Sequence, residues 1–125
     1  MALIAVQAEQ LTRESIFRAL YDRRVYATSG ARILLDFRVA GQTMGSEIRA
    51  DAAPQIAIEV VGTEPIERIE IKRDCAIVHI HEPDGELARF TWSDPDFDAG
   101  QPCFYYVRIV QTDGEEAISS PVWVN

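Results

Sequence analysis

The sequence predicts a mainly β protein: an immunoglobulin-like antiparallel β-sandwich of about seven strands, preceded by an N-terminal helix. From residue 31 onward, apolar and polar residues alternate in short runs, as in strands that bury one face. Turn-forming residues separate these runs about every ten residues, which is typical of β-sandwiches. Before residue 31 the apolar residues have helical spacing instead, and this change of period sets a lead-in apart from the sandwich.

Residues 1–30 form this lead-in. The apolar run from Leu3 to Val6 predicts a strand, and Thr12 is a suitable N-cap for a helix over residues 13–23. One face of that helix is apolar and consists of Ile16, Phe17, Leu20 and Tyr21. A single strand and helix cannot bury both of their apolar faces. We therefore expect this face to be covered by the sandwich, by a second copy of the chain, or by both.

The sandwich is predicted over residues 31–125. Its clearest strand lies at 33–39, where four apolar residues alternate with other residues. Six further strands are predicted around 56–60, 69–71, 76–81, 88–92, 105–109 and 118–124. Turns are indicated at Arg73-Asp74, Pro83-Asp84-Gly85 and Thr112-Asp113-Gly114. Pro121 indicates that the last strand lies at a sheet edge, because proline cannot donate to a β-ladder.

The charge balance excludes one class of partner. The chain carries 20 acidic and 12 basic residues, and most of the excess lies in residues 82–116. Such a surface repels the phosphates of nucleic acids, so we expect no nucleic-acid partner. No apolar run reaches the ~20 residues that cross a bilayer, so we expect no membrane association, and the compartment stays unassigned. For Cys75 and Cys103, two buried thiols are a simpler expectation than a disulfide.

Five residues are candidate metal ligands. His79 and His81 share one face of a predicted strand, a spacing at which two imidazoles can bind one ion. Asp94, Asp96 and Asp98 alternate as in the first half of a calcium loop. However, a metal site needs three or four converging ligands, and the later residues of a calcium loop are absent. The simpler interpretations are two surface or edge histidines and an Asp-rich hairpin loop, with no catalytic, cofactor or metal residue in this chain.

Two other patterns have alternative interpretations. Residues 28–32 could form a nest of backbone N–H groups that binds an anion, or simply a turn that uses Gly30. Four aromatic residues could line a sugar-binding face, or could belong to the core and to cross-strand pairs: Trp92, Tyr105, Tyr106 and Trp123.

Several stretches carry a family resemblance. Ser15–Leu20 and Arg23–Ile33, the latter containing Tyr-Ala-Thr-Ser-Gly, resemble a family of uncharacterised bacterial proteins in the PHP superfamily of metal-dependent phosphoesterases. Pro65–Ile71, Trp92–Phe97 and Phe104–Arg108 resemble the tail of the same family. The resemblance covers essentially the whole chain, but only as the C-terminal portion of a longer protein.

The resemblance implies a protein with a catalytic barrel and a separate non-catalytic domain. In such proteins a barrel of βα units binds two or three divalent metals through His, Asp and Glu. Residues 1–30 would be the end of that barrel, and residues 31–125 the appended sandwich. The barrel's metal ligands have no counterpart here, so metals are expected only in the missing barrel. The implied function is a non-catalytic accessory domain whose partner is its own catalytic domain. A carbohydrate- or ligand-binding module and an oligomerisation domain are the alternatives.

Overall fold

The computed structural model describes residues 2–125, which form twelve strands and one helix. The helix is α1 (Arg13–Tyr21). The strands are β1 (Leu3–Val6), β2 (Val25–Thr28), β3 (Leu34–Val39), β4 (Gln42–Thr43), β5 (Glu47–Ile48), β6 (Gln55–Val61), β7 (Ile66–Arg73), β8 (Ala76–His81), β9 (Leu87–Ser93), β10 (Cys103–Gln111), β11 (Glu116–Ser119) and β12 (Val122–Val124). The mainly β prediction is confirmed.

The strands form two sheets. The smaller sheet has the order β4-β3-β6-β9, and all of its pairs are antiparallel. In the larger sheet, β8 pairs with β7 and β7 with β10, while β11 and β12 lie end to end along the other side of β10. Next to β11 lie β2 and then β1, and β5 pairs in parallel with β12.

The core lies between the two sheets, as expected for a β-sandwich. Every second residue of β3 is buried, namely Leu35, Phe37 and Val39, and β10 contributes Tyr105, Val107 and Ile109 from the opposite sheet. This period-two burial is what the alternation in the sequence predicted. The last predicted strand, however, is divided by a break at Ser120–Pro121. Pro121 was therefore wrongly assigned to an edge strand, since both flanking strands have neighbours on both sides.

The sequence did not predict β2, which joins the lead-in to the sandwich. The Tyr26 hydroxyl donates to the Ile33 carbonyl (2.8 Å) and accepts from the Leu35 N–H (3.3 Å). Gln7 Nε2 donates to the Leu35 carbonyl (3.0 Å). These bonds satisfy backbone groups of Ile33 and Leu35 that β4 does not reach, because β4 pairs only at the far end of β3. The division at residues 30 and 31 stays a prediction from the sequence.

The helix is shorter than predicted. Thr12 caps it as expected, its hydroxyl accepting from the Ser15 N–H (3.2 Å), but α1 ends at Tyr21. Arg23, the last residue of the predicted helix, instead has a left-handed φ of 61°, which turns the chain toward β2. Within residues 2–125, no helix is long and apolar enough to span a membrane.

The sandwich does not cover the apolar face of α1. Phe17 is 69% exposed, Leu20 48% and Tyr21 77%, whereas Ile16 is half-buried. Only Ala19 of the helix is fully buried. The sandwich was one of the two partners expected to cover this face, and it is excluded for Phe17, Leu20 and Tyr21.

A glycine fixes the end of α1 to the sandwich. Gly45, between β4 and β5, has a φ of +90°, and a Cβ there would lie 2.4 Å from the Asp22 carbonyl oxygen. Its own carbonyl accepts from Arg23 Nε (3.0 Å), and its N–H donates to the Pro121 carbonyl (2.8 Å). The Arg23 guanidinium also lies over the Trp123 ring, 4.9 Å from its centroid. The helix is thus anchored at its C-terminal end while its apolar face stays free.

Candidate functional site

The two histidines close one side of the sandwich. Both side chains point inward from β8, the edge strand of the larger sheet, toward the edge strand β9 of the smaller one. The His79 ring stacks on Trp92, with 4.9 Å between centroids, and the His81 ring stacks on Phe90 at 4.0 Å. All four side chains are half-buried. The geometry therefore assigns His79 and His81 to packing between the sheets.

This packing predicts that the folded state becomes less stable at acidic pH. Burial, together with the neighbouring charge of His81, lowers the pKa of His79. A histidine with a lowered folded-state pKa takes up a proton more readily when unfolded, so its contribution to stability is full at neutral pH. That contribution is lost as the pH falls through about 6.5, the pKa of an unperturbed histidine, toward the lowered folded-state value. Urea denaturation between pH 8 and pH 5 should show this loss, and His79→Gln should flatten the profile over that range. An unchanged profile would contradict the assignment.

Asp94 is a buried structural carboxylate. It is 2% exposed and follows the last residue of β9. Its Oδ2 accepts from the Tyr105 hydroxyl (2.8 Å) and forms an ion pair with the Arg73 guanidinium. Its Oδ1 accepts from the Asp96 N–H (2.9 Å). Both oxygens are therefore used within the chain.

The ionisation of this cluster follows from its contacts. Burial alone would raise the pKa of Asp94, but the bonds from the Asp96 N–H, Tyr105 and Arg73 outweigh it and lower the pKa. Burial and the adjacent carboxylate raise the pKa of the Tyr105 hydroxyl, so this group remains a donor. The cluster has the chemistry of a structural anchor for the loop 94–102.

The other aspartates do not converge with Asp94. Asp98 Oδ1 accepts from the Gly100 N–H (2.9 Å), a local turn of the kind that aspartate favours. Asp96 is exposed. Over residues 2–125 no group of three or more His, Cys, Asp or Glu side chains is placed to hold a metal ion.

The possible anion nest at residues 28–32 faces acidic partners. The Ser29 N–H donates to the Glu116 carbonyl (2.9 Å), and the Ser29 hydroxyl donates to Glu115 Oε2 (2.5 Å). Gly30 has a positive φ, as the turn interpretation requires. These residues therefore act as a connection tied to the start of β11.

The four aromatic residues do not form one exposed platform. Tyr105 is fully buried, and both tryptophans are half-buried, Trp92 under His79 and Trp123 under Arg23. Tyr106 is also half-buried, and the Lys72 ammonium lies over its ring, 5.7 Å from the ring centroid. This arrangement gives no support to a sugar-binding face.

The cysteines are both free thiols. Cys103 is half-buried, whereas Cys75 is exposed. The expectation of two buried thiols was therefore wrong for Cys75, because it lies in the turn between β7 and β8 with a φ of 73°.

A charged cluster on the outer face of the larger sheet was not predicted. Glu70 is only 3% exposed and accepts from Arg68 Nε (2.7 Å). Arg108 lies 3.6 Å and Lys72 3.9 Å from its other oxygen. Burial opposes ionisation of Glu70, but these three cations outweigh it and lower the pKa. The pairing of Glu70 with Arg108 depends on the register of β7 against β10, which no local sequence signal reveals.

The chain can be compared with known proteins on this basis. The sequence profile of one family matches residues 1–60 and 61–123. The chain belongs to that family, DUF3604, described as a protein of unknown function. No solved structure gives a significant match to the chain.

Relatives in the DUF3604 family include chlamydial proteins. An uncharacterised protein of Chlamydia trachomatis is 36% identical over an alignment of 139 positions, which covers 98% of this chain and 22% of the relative. An uncharacterised protein of Chlamydia pneumoniae is 34% identical over 140 residues, with the same coverage. The chain thus spans 22% of the length of these relatives and corresponds to one part of longer bacterial proteins.

Proposed function

We propose that this chain is a non-catalytic accessory β-sandwich of a PHP-type, metal-dependent phosphoesterase-like protein. In this proposal it docks on the catalytic body of that protein through the segment 3–21. The divalent metals and the substrate would bind in the catalytic body. The immunoglobulin-like classification belongs to the proposal too, and the observed division of strands between two sheets supports it.

The observation that carries the proposal is where the exposed apolar side chains lie. Among residues 2–125, twelve large apolar side chains are exposed, and six of them fall in the segment 3–21: Leu3, Ile4, Leu11, Phe17, Leu20 and Tyr21. A concentration of exposed large apolar side chains in one segment favours an interaction site in that segment. The DUF3604 relatives are much longer than the matched region, so the rest of such a protein is available as the partner of this segment.

The helix itself supports the same conclusion. A nine-residue helix is too short to be stable in water on its own, since most helical stability in proteins comes from packing of the apolar face. In α1 only Ala19 is fully buried. Docking of Phe17 and Tyr21 against the catalytic body would supply the missing contacts.

A binding experiment with two pieces of the Chlamydia trachomatis relative tests the docking. The piece that matches this chain and the remainder would be produced separately and titrated by calorimetry. Aspartate at the positions aligned with Phe17 and Tyr21 should weaken binding at least 100-fold. The matched control is aspartate at the position aligned with Leu87, which is 63% exposed on the smaller sheet, and it should change binding less than twofold. Equal losses, or no binding between the pieces, would contradict the proposal.

Two further measurements address the alternatives. Metal-dependent hydrolysis of a phosphomonoester by the 125-residue chain alone would refute a non-catalytic role. Sedimentation equilibrium of the same chain tests oligomerisation through Ile16, Phe17, Leu20 and Tyr21. A dimer that Phe17→Asp dissociates would assign this face to a second copy instead of the catalytic body.

A further inference from the structure

The free edge of β1 is a second contact surface in the same segment. We propose that β1 accepts an additional β-strand, an extended apolar segment with a basic residue, from the part of the full-length protein outside this chain. This inference rests on the proposed function and specifies how the docking is made.

The orientation of the backbone shows which groups are free. The Gln7 N–H donates to the Arg24 carbonyl (2.8 Å), toward β2. Successive residues of a strand direct their N–H groups to opposite edges. The Ala5 N–H therefore also points toward β2, whereas the N–H groups of Ile4 and Val6 point away from it. Among residues 2–125, β1 pairs with no strand on that second edge.

Apart from the short length of β1, which has four residues, the edge carries none of the usual protections against strand addition. Exposed edges of natural proteins generally carry a lysine, a proline or a bulge. The sequence Leu3–Val6 has no charged residue and no proline, and its register with β2 has no bulge. Unpaired backbone groups of this kind are best satisfied by another extended backbone.

A groove beside the edge would receive the side chains of an added strand. It runs between β1 and the outer side of β3 and β6, and its apolar lining includes Ala5, Val6, Tyr26, Leu34 and Val61. Leu34 is 61% and Val61 39% exposed, so the groove is open. An apolar residue at alternate positions of the incoming strand fits this lining.

Charge selects between the possible occupants. The groove also contains Asp36 and Glu59. Asp36 is paired with Arg38 (3.2 Å), whereas Glu59 lies opposite Arg89 of β9 and makes no ion pair within the described residues. A basic residue in the incoming strand complements Glu59. A second copy would bring two chains of net charge −8, and two such acidic grooves, into contact. The remainder of the longer protein is therefore the occupant that the groove favours.

Amide hydrogen exchange with residue-level fragmentation tests the proposal. The full-length Chlamydia trachomatis relative would be compared with its matching piece alone. The amides aligned with Ile4 and Val6 should exchange at least 100-fold more slowly in the full-length protein. The amides aligned with Ala5 and Gln7 are the internal control, since both point toward β2 and should be protected in both samples.

The outcomes separate this inference from the proposed function. If aspartate at the position aligned with Phe17 weakens docking but the Ile4 and Val6 amides exchange equally fast in both samples, strand addition is refuted and docking through α1 stands. If these amides become protected in the isolated piece as its concentration rises, the occupant is a second copy and the inference is overturned. Lysine at the position aligned with Glu59 should weaken docking at least tenfold, and no effect would contradict the predicted basic residue.

Discussion

Replacing Asp94 with alanine should lower the free energy of unfolding by about 3 kcal/mol, because removing one partner of a buried ion pair is strongly destabilising. The fully buried Tyr105 hydroxyl and the Asp96 N–H would both lose their hydrogen-bond acceptor. Arg73 is 27% exposed at its side chain and can recover some hydration, which places the expected loss at the low end of the range. Urea denaturation monitored by tryptophan fluorescence measures the change.

Asp96→Ala is the matched control for this prediction. Asp96 lies in the same loop but is exposed, so the expected change is within about 0.5 kcal/mol. A loss below 1 kcal/mol for Asp94→Ala would contradict the structural role assigned to the carboxylate. Calcium provides an independent check: an increase in the melting temperature of the native chain, absent in Asp98→Ala, would restore the calcium-loop interpretation.

Gly45→Ala should destabilise the chain by about 3 kcal/mol, because two costs add. Its φ of +90° is unfavourable for a residue with a Cβ, and the new atom would lie 2.4 Å from the Asp22 and 2.5 Å from the Arg23 carbonyl oxygen. Both clashing atoms belong to the backbone and cannot rotate away. Thermal and urea denaturation measure the loss.

Gly41→Ala separates the two costs. Gly41 has a similar φ of +79°, but a Cβ there would meet no atom within 4 Å. It should therefore show only the conformational cost, about 1–2 kcal/mol. If the two variants were equally destabilised, the close contact between Gly45 and the end of α1 would have no energetic importance.

Strands with clear alternation were predictable from the sequence, and the others were not. Residues 33–39 alternate over a full strand, and the structure buries the apolar half between the sheets. By contrast, Val25–Thr28 is only four residues long and closely follows a helix, and one of its two partners, β11, lies far along the chain. Local sequence patterns carry no information about such a pairing.

The candidate sites divide in the same way. The apolar face of α1 follows from helical spacing, but its exposure was not anticipated, because the sandwich was one of the covers expected for it. The free edge of β1 and the role of Asp94 depend on which strands are neighbours, as do the stacked rings of His79 and Trp92. A sequence pattern can identify such residues as unusual, but only the topology shows what each one contacts.

The pairing of β2 with β11 also determines when the larger sheet can form during synthesis. Ser29 and Glu116 bond across a separation of 87 residues, so β2 leaves the ribosome long before its partner β11 exists. The smaller sheet needs only β3, β4, β6 and β9 and can pair earlier. Contacts between distant residues slow folding and leave strand edges exposed in the interval. In a nascent chain the free edge of β2 can therefore pair with other segments until β11 has been synthesised.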